Sequence, residues 1–408
     1  MKNPNNKFRW IALAVSLLIN LCIGSVYAWS VFANPLAAVI SEATGSAVTA
    51  ANLSIVFTIA NSVGPITMIS GGFINDKIGS KWLLFIGGLL FGAGMIGSGL
   101  SKSIGLLIVC YGLGVGLAIG LIYGSTVSSS IKLFPDKKGL AGGLTTAAYG
   151  ISSVLIPPVA NGLIEGRGIE KAMVILGIIM MVIIVACGFI YAACFKKYTA
   201  HQNNEGSASP AAGGMKWNQM LKTPYFYVMI IMLCMGAISG LMITSQASPL
   251  AQGIFGMPAA GAAVIVSILA LFNTGGRLLS GAVSDRIGII NTLRITFILF
   301  ILGQALLLIS LSAGSGLFIA GVCVVGLCFG SIMGIYPSFT AKKFGAAHNS
   351  VNYGIMFCGF ALAGYLGPML LNTVYNSTGA YNLAFIIAAA LALAGLLLTL
   401  VKGSEDFK

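Results

Sequence analysis

The sequence predicts an all-α membrane protein of twelve transmembrane helices in two six-helix halves, with both termini in the cytoplasm. The first sign is composition. Of 408 residues 57% are hydrophobic and 8% charged, with 54 glycines and a mean hydropathy of +0.97, too little polar side chain to clothe a water-soluble surface. The second is that apolar residues gather into stretches of about 20, the length that crosses a bilayer. The third is that basic residues collect on one side of those stretches.

The twelve stretches run over about 10–32, 50–73, 81–100, 104–130, 140–164, 172–195, 224–247, 260–283, 291–312, 315–338, 348–372 and 380–401. The first is too long for a signal-peptide core and has no convincing cleavage context, so it is read as a retained helix. An even number of spans leaves both termini on one side. That side holds 18 of the 22 basic residues, the opposite side only Lys102, Arg167 and Lys171, and Arg277 is left over. The positive-inside rule makes the basic side cytoplasmic. The net charge of +13 is therefore a signature of topology, and no basic patch remains to assign to nucleic acid.

All eight cysteines fall in predicted spans, where they read as small buried hydrophobes, and the two histidines, His201 and His348, fall in loops. This leaves no pattern for a metal, a cofactor or a disulfide framework. The nine acidic residues lie in loops or at span ends, so the spans lack the paired carboxylates or nucleophile–base sets that an integral membrane enzyme needs. No enzymatic activity is expected.

Between spans six and seven the composition turns polar and rich in small residues, which marks a cytoplasmic linker over 196–223. It divides a bundle at 1–195 from a bundle at 224–408. The bundles echo each other. Gly72-x-x-x-Asp76-Lys77-Ile-Gly79 follows span two, and Gly281-x-x-x-Asp285-Arg286-Ile-Gly288 follows span eight. Glycine permits close helix approach and tight turns. The Asp and its basic neighbour can bridge nearby helix ends in one conformation and release them in another. These eight residues are read as the gating set. A second echo pairs Tyr149-Gly150 with Tyr353-Gly354.

On this duplicated loop motif the whole chain resembles the major facilitator superfamily. The resemblance implies a central cavity and alternating access by rocking of the halves. The second copy ends in Ile289-Ile290 where the first ends in Ser80-Lys81, so its cytoplasmic latch is expected to be the weaker. Within the superfamily, Tyr27-Ala-Trp29-Ser-Val-Phe32-Ala-Asn34-Pro35, Tyr123-Gly124, Phe134-Pro135-Asp136-Lys137-Lys138-Gly139-Leu140-Ala141, Asn273-x-x-x-Arg277 and Asn352-Tyr353-Gly354 resemble the oxalate/formate antiporter family and its bacterial monocarboxylate-transporting relatives.

Arg277 is the charge that stands deepest, eight residues before Asp285, or roughly 12 Å inside the end of span eight. A charge there costs on the order of 2.5–3.5 kcal/mol, so it is expected to face a cavity or a partner. Its planar fork suits a carboxylate. The resemblance makes Arg277 the carboxylate-binding residue, and Asn273, one turn away on the same face, either orients it or touches substrate. Tyr27 and Tyr123 match cavity-lining positions of the family, with Phe329, Tyr336 and Phe360 as apolar walls. Tyr27 and Trp29 have an alternative as members of the outer aromatic belt, since they lie near the end of the predicted first span. Oxalate transporters of the family carry a second cation six residues after Asn-Tyr-Gly, and here that position is Phe360. One arginine suits a monoanion of the lactate, pyruvate or formate class better than a dianion.

The expected function is transport of such monocarboxylates across the cytoplasmic (inner) membrane, by carboxylate exchange or proton-linked symport. Oxalate:formate antiport is the alternative, and a non-transporting carboxylate sensor a more distant one. Expected partners are a small carboxylate, protons in the symport case, and the lipid bilayer. The chain is read as a monomer.

Overall fold

The structure, a computed structural model, describes residues 5–50, 52–204 and 214–401. It is helical, and no strand occurs among the described residues. Eleven helices are long and apolar enough to cross a membrane: α1 Lys7–Thr44, α2 Ser54–Lys77, α3 Ser80–Gly99, α4 Ile104–Leu133, α5 Lys138–Arg167, α6 Ile169–Tyr198, α7 Pro224–Phe255, α8 Ala260–Ile287, α9 Ile289–Ala313, α10 Ser315–Phe344 and α11 Asn349–Thr378. The twelfth, α12, covers Asn382–Leu398; its 17 residues rise about 25 Å, close to the hydrocarbon thickness. Large apolar side chains such as Ile66, Val182, Ile298, Tyr365 and Leu397 point outward, as a lipid-facing surface requires.

Two helices depart from the simple reading. α1 runs well past the predicted end at residue 32, through a 3₁₀ stretch at Gly24–Ala28 and over Pro35. Trp29 therefore lies about 22 Å before the helix end, buried against Tyr111 with ring centroids 4.7 Å apart. Neither Tyr27 nor Trp29 sits at the end of its helix. The helix that contains α6 continues to Asn204, so His201 belongs to a helical extension, not a loop. All eight cysteines are free, and Cys358 is exposed, not buried.

The chain divides into two compact units. One comprises Met1–Pro135, Ala148–Met215 and Phe344–Ile355; the other comprises Asp136–Ala147, Lys216–Lys343 and Met356–Lys408. The first turns of α5 thus belong with α7–α10, and the first turns of α11 with α1–α4.

In the first unit α6 packs on α3 and α1, and α4 on α2. The α4–α2 seam is made by Gly112, Gly116, Gly120 and Gly124. A Cβ on Gly116 would stand 2.7 Å from the Ala60 carbonyl oxygen, so the backbones touch. The start of α11 lies on the same bundle, with Asn75 Nδ2 donating to Ser350 Oγ at 2.7 Å and Asn349 Nδ2 to Ser128 Oγ at 3.4 Å. Asn352 Nδ2 donates to the Met215 carbonyl at 2.9 Å, and the Met215 N–H to the Phe344 carbonyl at 2.7 Å. In the second unit α7 packs on α11, α12 and α8, and α9 on α12.

Candidate functional site

Arg277 is 4% exposed and is the one buried basic residue among the described residues. α8 must pass close to its neighbours to hold it there, and small residues make that possible. A Cβ on Gly334 of α10 would lie 2.5 Å from the Arg277 carbonyl oxygen, and so would one on Gly143 of α5. Gly330 of α10 packs in the same way on Asn273. Arg277 is therefore fixed by a helix clasped backbone to backbone on two sides.

Its side chain is also fixed. Nε donates to Asn273 Oδ1 at 2.9 Å, the one-turn neighbour the spacing predicts, and Nη1 donates to the Thr146 carbonyl at 3.1 Å. A guanidinium carries five N–H donors, so three remain without an acceptor among the described residues, and none of the described carboxylates lies within ion-pair distance. Chemically this is a held cation whose Nη1–Nη2 edge keeps unused N–H donors. Asn273 is buried beside it and acts on Nε.

The aromatic candidates fall into separate groups. In the first unit Tyr27, half-buried in the 3₁₀ stretch of α1, meets Tyr149 edge-on at 5.3 Å, and Tyr123 meets Tyr149 at 5.1 Å. Tyr149 is thus the centre of a three-tyrosine cluster drawn from α1, α4 and α5. In the second unit Phe329 stacks on Phe360 at 6.3 Å and 9°, and Phe360 on Phe357 at 4.6 Å. Tyr336 stands apart: it is fully buried, and its hydroxyl donates to the Met229 carbonyl at 2.8 Å. Its hydroxyl is committed to the α7–α10 contact.

The duplicated loop motif folds the same way twice. Gly79 and Gly288 adopt φ of +83° and +86°, a region open to glycine, and turn the chain from α2 to α3 and from α8 to α9. Gly72 meets the Ser350–Val351 backbone of α11, and Gly281 meets Gly139 of α5. The acids then differ. Asp76 Oδ1 accepts from Lys132 Nζ at 2.9 Å, whereas Asp285 accepts from the N–H groups of Gly139 and Leu140 at 2.9 and 2.8 Å and from Lys342 at 3.5 Å. Lys77 and Arg286 are exposed and take no ion pair among the described residues. The second copy therefore makes more contacts than the first, contrary to the expectation from its missing basic tail. Its strength comes from orphan amides at a helix N-terminus, which a tail comparison does not register.

The sequence matches the Major Facilitator Superfamily over residues 13–368. The chain belongs to that superfamily. Its relatives include the oxalate:formate antiporter of Oxalobacter formigenes, 28% identical over 382 residues that cover 93% of this chain and 88% of that protein. A probable nitrate transporter of Staphylococcus haemolyticus is 27% identical, covering 91% of each chain. Human monocarboxylate transporter 12 is 23% identical, covering 94% of this chain and 78% of that one. The fold is shared with the Escherichia coli fucose:proton symporter, at a TM-score of 0.68 and 14% identity over 95% of this chain and 97% of that one. The resemblance to the superfamily drawn from the duplicated loop motif is thereby established.

Two contacts escaped the sequence. Thr146 meets Arg277 through its backbone oxygen, which leaves no residue signature. Tyr149 had one: the Tyr-Gly echo marked the position, though nothing in it indicated contact with Tyr27 and Tyr123.

Proposed function

We propose that the protein is an alternating-access transporter of small monocarboxylate anions of the lactate, pyruvate and formate class. The observation that carries this reading is the buried Arg277 guanidinium with three uncommitted N–H donors and no acidic partner. A carboxylate fills such a fork with two parallel charge-assisted bonds, each roughly twice the strength of a neutral one. Asn273 holds Nε and orients the fork. Phe329 and Phe360, in the same compact unit as Arg277, supply apolar surface. The motif residues Gly72, Asp76, Lys77, Gly79, Gly281, Asp285, Arg286 and Gly288 form the gating set, in which Asp76 and Asp285 hold helix ends. The functional halves are 1–195 and 224–408 about the linker at 196–223, in a cytoplasmic (inner) membrane oriented by the basic residues.

Oxalate:formate antiport is the second reading, favoured by the relative that bears that name. Against it stands Phe360, held in a stack of aromatic rings where a second cation would be needed for a dianion. The transport cycle is either carboxylate exchange or proton-linked symport. Purified protein in liposomes, offered labelled lactate, pyruvate, formate and oxalate with and without internal carboxylate, tests the proposal. Monocarboxylate uptake that Arg277→Ala abolishes supports it. Strong oxalate exchange with no monocarboxylate uptake replaces it by the second reading, and no carboxylate flux refutes both.

A further inference from the structure

We infer that Tyr111 biases the first turns of α4 to rotate during the transport cycle: its hydroxyl is buried without a partner in this conformation, and a π-helical stretch around it supplies the freedom to turn. This rests on alternating access as the mode of action, and not on the identity of the cargo. α4 is π-helical over Ile108–Val115, with Tyr111 near the middle. In that form an amide reaches back five residues instead of four, and such stretches are rare and occur often at functional sites.

Packing marks the same stretch as a boundary, all within one compact unit. Beyond it α4 is fixed on α2, with Gly116 against the Ala60 carbonyl and Gly120 against the Gly64 carbonyl and Thr67, the four-residue spacing of an α-helical seam. Within it α4 meets α3 through Gly94, which abuts the Cys110 carbonyl and the Val115 amide, the two groups that a π-turn pairs. Gly97 of α3 abuts Cys110 Sγ. The α3 residues at this contact are glycines, so they carry no side chain that would block a rotation.

Tyr111 is fully buried, and its hydroxyl has no hydrogen-bond partner among the described residues. An unmade hydrogen bond at a buried group shifts an equilibrium about fivefold to 150-fold against the conformation that contains it. The Tyr111 ring lies on Trp29 at 4.7 Å, and Trp29 stacks on Phe57 at 6.4 Å. Trp29 follows directly on the 3₁₀ stretch Gly24–Ala28, so a tightened turn of α1 faces a widened turn of α4 across one ring pair. Trp29, singled out by the span-one motif, is the surface against which Tyr111 moves. Conversion of the π-stretch to α-helix rotates the first turns of α4 and takes Tyr111 with them. A rotation that brings its hydroxyl to an acceptor is favoured by the factor above. Tyr111 is thus a positioning residue that favours departure from the present conformation.

Counterflow of labelled formate into proteoliposomes and thermal melting, both on the full-length wild type and Tyr111→Phe, test this. Phenylalanine keeps the ring and removes only the unpartnered hydroxyl. Tm is therefore expected to rise, while Vmax falls about fivefold or more and KM stays within about twofold. Cys110 reports the turn without any cargo, since in this conformation its sulfur is held against Gly97. In a chain whose other seven cysteines are alanine, Tyr111→Phe is expected to slow alkylation of Cys110 by N-ethylmaleimide about fivefold. A lower Tm, an unchanged Vmax or equal alkylation rates in the two chains overturn the proposal. Slower alkylation with no formate flux in either chain supports the turn and tells against carboxylate transport alone.

Discussion

Replacing Arg277 by lysine keeps the charge and removes the fork, which makes it the sharpest single perturbation of the site. The native side chain reaches two acceptors, Asn273 Oδ1 at 2.9 Å and the Thr146 carbonyl at 3.1 Å, and in the proposed role it takes the anion on its remaining edge. An ammonium is a point charge with three tetrahedral donors, and it cannot hold two protein acceptors on one side while presenting parallel bonds on the other. At least one charge-assisted bond to substrate is lost, worth about 1.5–3 kcal/mol. That corresponds to a rise in KM of roughly ten- to 150-fold. The assay is initial-rate counterflow of labelled formate and lactate into proteoliposomes over a range of concentrations. Arg277→Lys is expected to raise KM by that factor, and Arg277→Ala to abolish flux. A KM within about twofold of wild type for Arg277→Lys would show that bidentate geometry is not used, and the carboxylate reading would fail with it.

Phe360→Lys places a second cation where the rings now stack, and is expected to raise oxalate uptake relative to formate. The lost ring contacts with Phe329 and Phe357 cost roughly 0.5–1.5 kcal/mol each, visible as a lower Tm. Asn273→Asp sets a carboxylate against Nε, so it neutralises the site. Anion uptake should fall at neutral pH and recover as acid protonates the new side chain; an unaltered pH profile contradicts the Nε contact. Gly120→Ala drives a Cβ into the Gly64 backbone and Thr67 Oγ1 and is expected to destabilise the protein by about 1–3 kcal/mol, measured by thermal melting. Tyr149→Phe removes only a hydroxyl, so a change of KM without a change of Tm would mark it as a substrate contact, and no change in either as ring packing.

What could be read in the chain beforehand was whatever periodicity and depth encode. Arg277 announced itself because no other charge lies so far from a helix end. Asn273 followed from the turn of the helix, and the hydrogen bond between them lies where that spacing places it. The glycines at 79 and 288 were marked by their repeated place in the motif, and both take a backbone conformation suited to glycine. Tyr336 was named as an apolar wall because an aromatic ring among small residues reads the same whether it lines a space or fills one; that its hydroxyl bonds to the Met229 carbonyl is not encoded in that pattern. The Thr146 contact could not be seen at all: it joins residues 131 apart through a main-chain oxygen, and every residue has one. The first turns of α5 and α11 were assigned by continuity of the helix, whereas their packing follows the glycines at 281 and 72.

The position of Ser350 has a bearing on how the protein is made. Asn75 finishes its hydrogen bonding with a partner 275 residues further along the chain. At a synthesis rate of about 5–20 residues per second, roughly 14 to 55 s pass between the two. Ser128 likewise waits for Asn349, and Lys132 for the Ala347 carbonyl. For that interval the nascent first bundle holds polar side chains, at helix ends beside the cytoplasmic loop, whose final partners do not yet exist. An insertion chaperone or a stalled, water-accessible intermediate is the natural remedy. A gene cut at the linker should accordingly yield an amino-terminal fragment that is degraded when expressed alone and accumulates when the carboxy-terminal fragment is co-expressed.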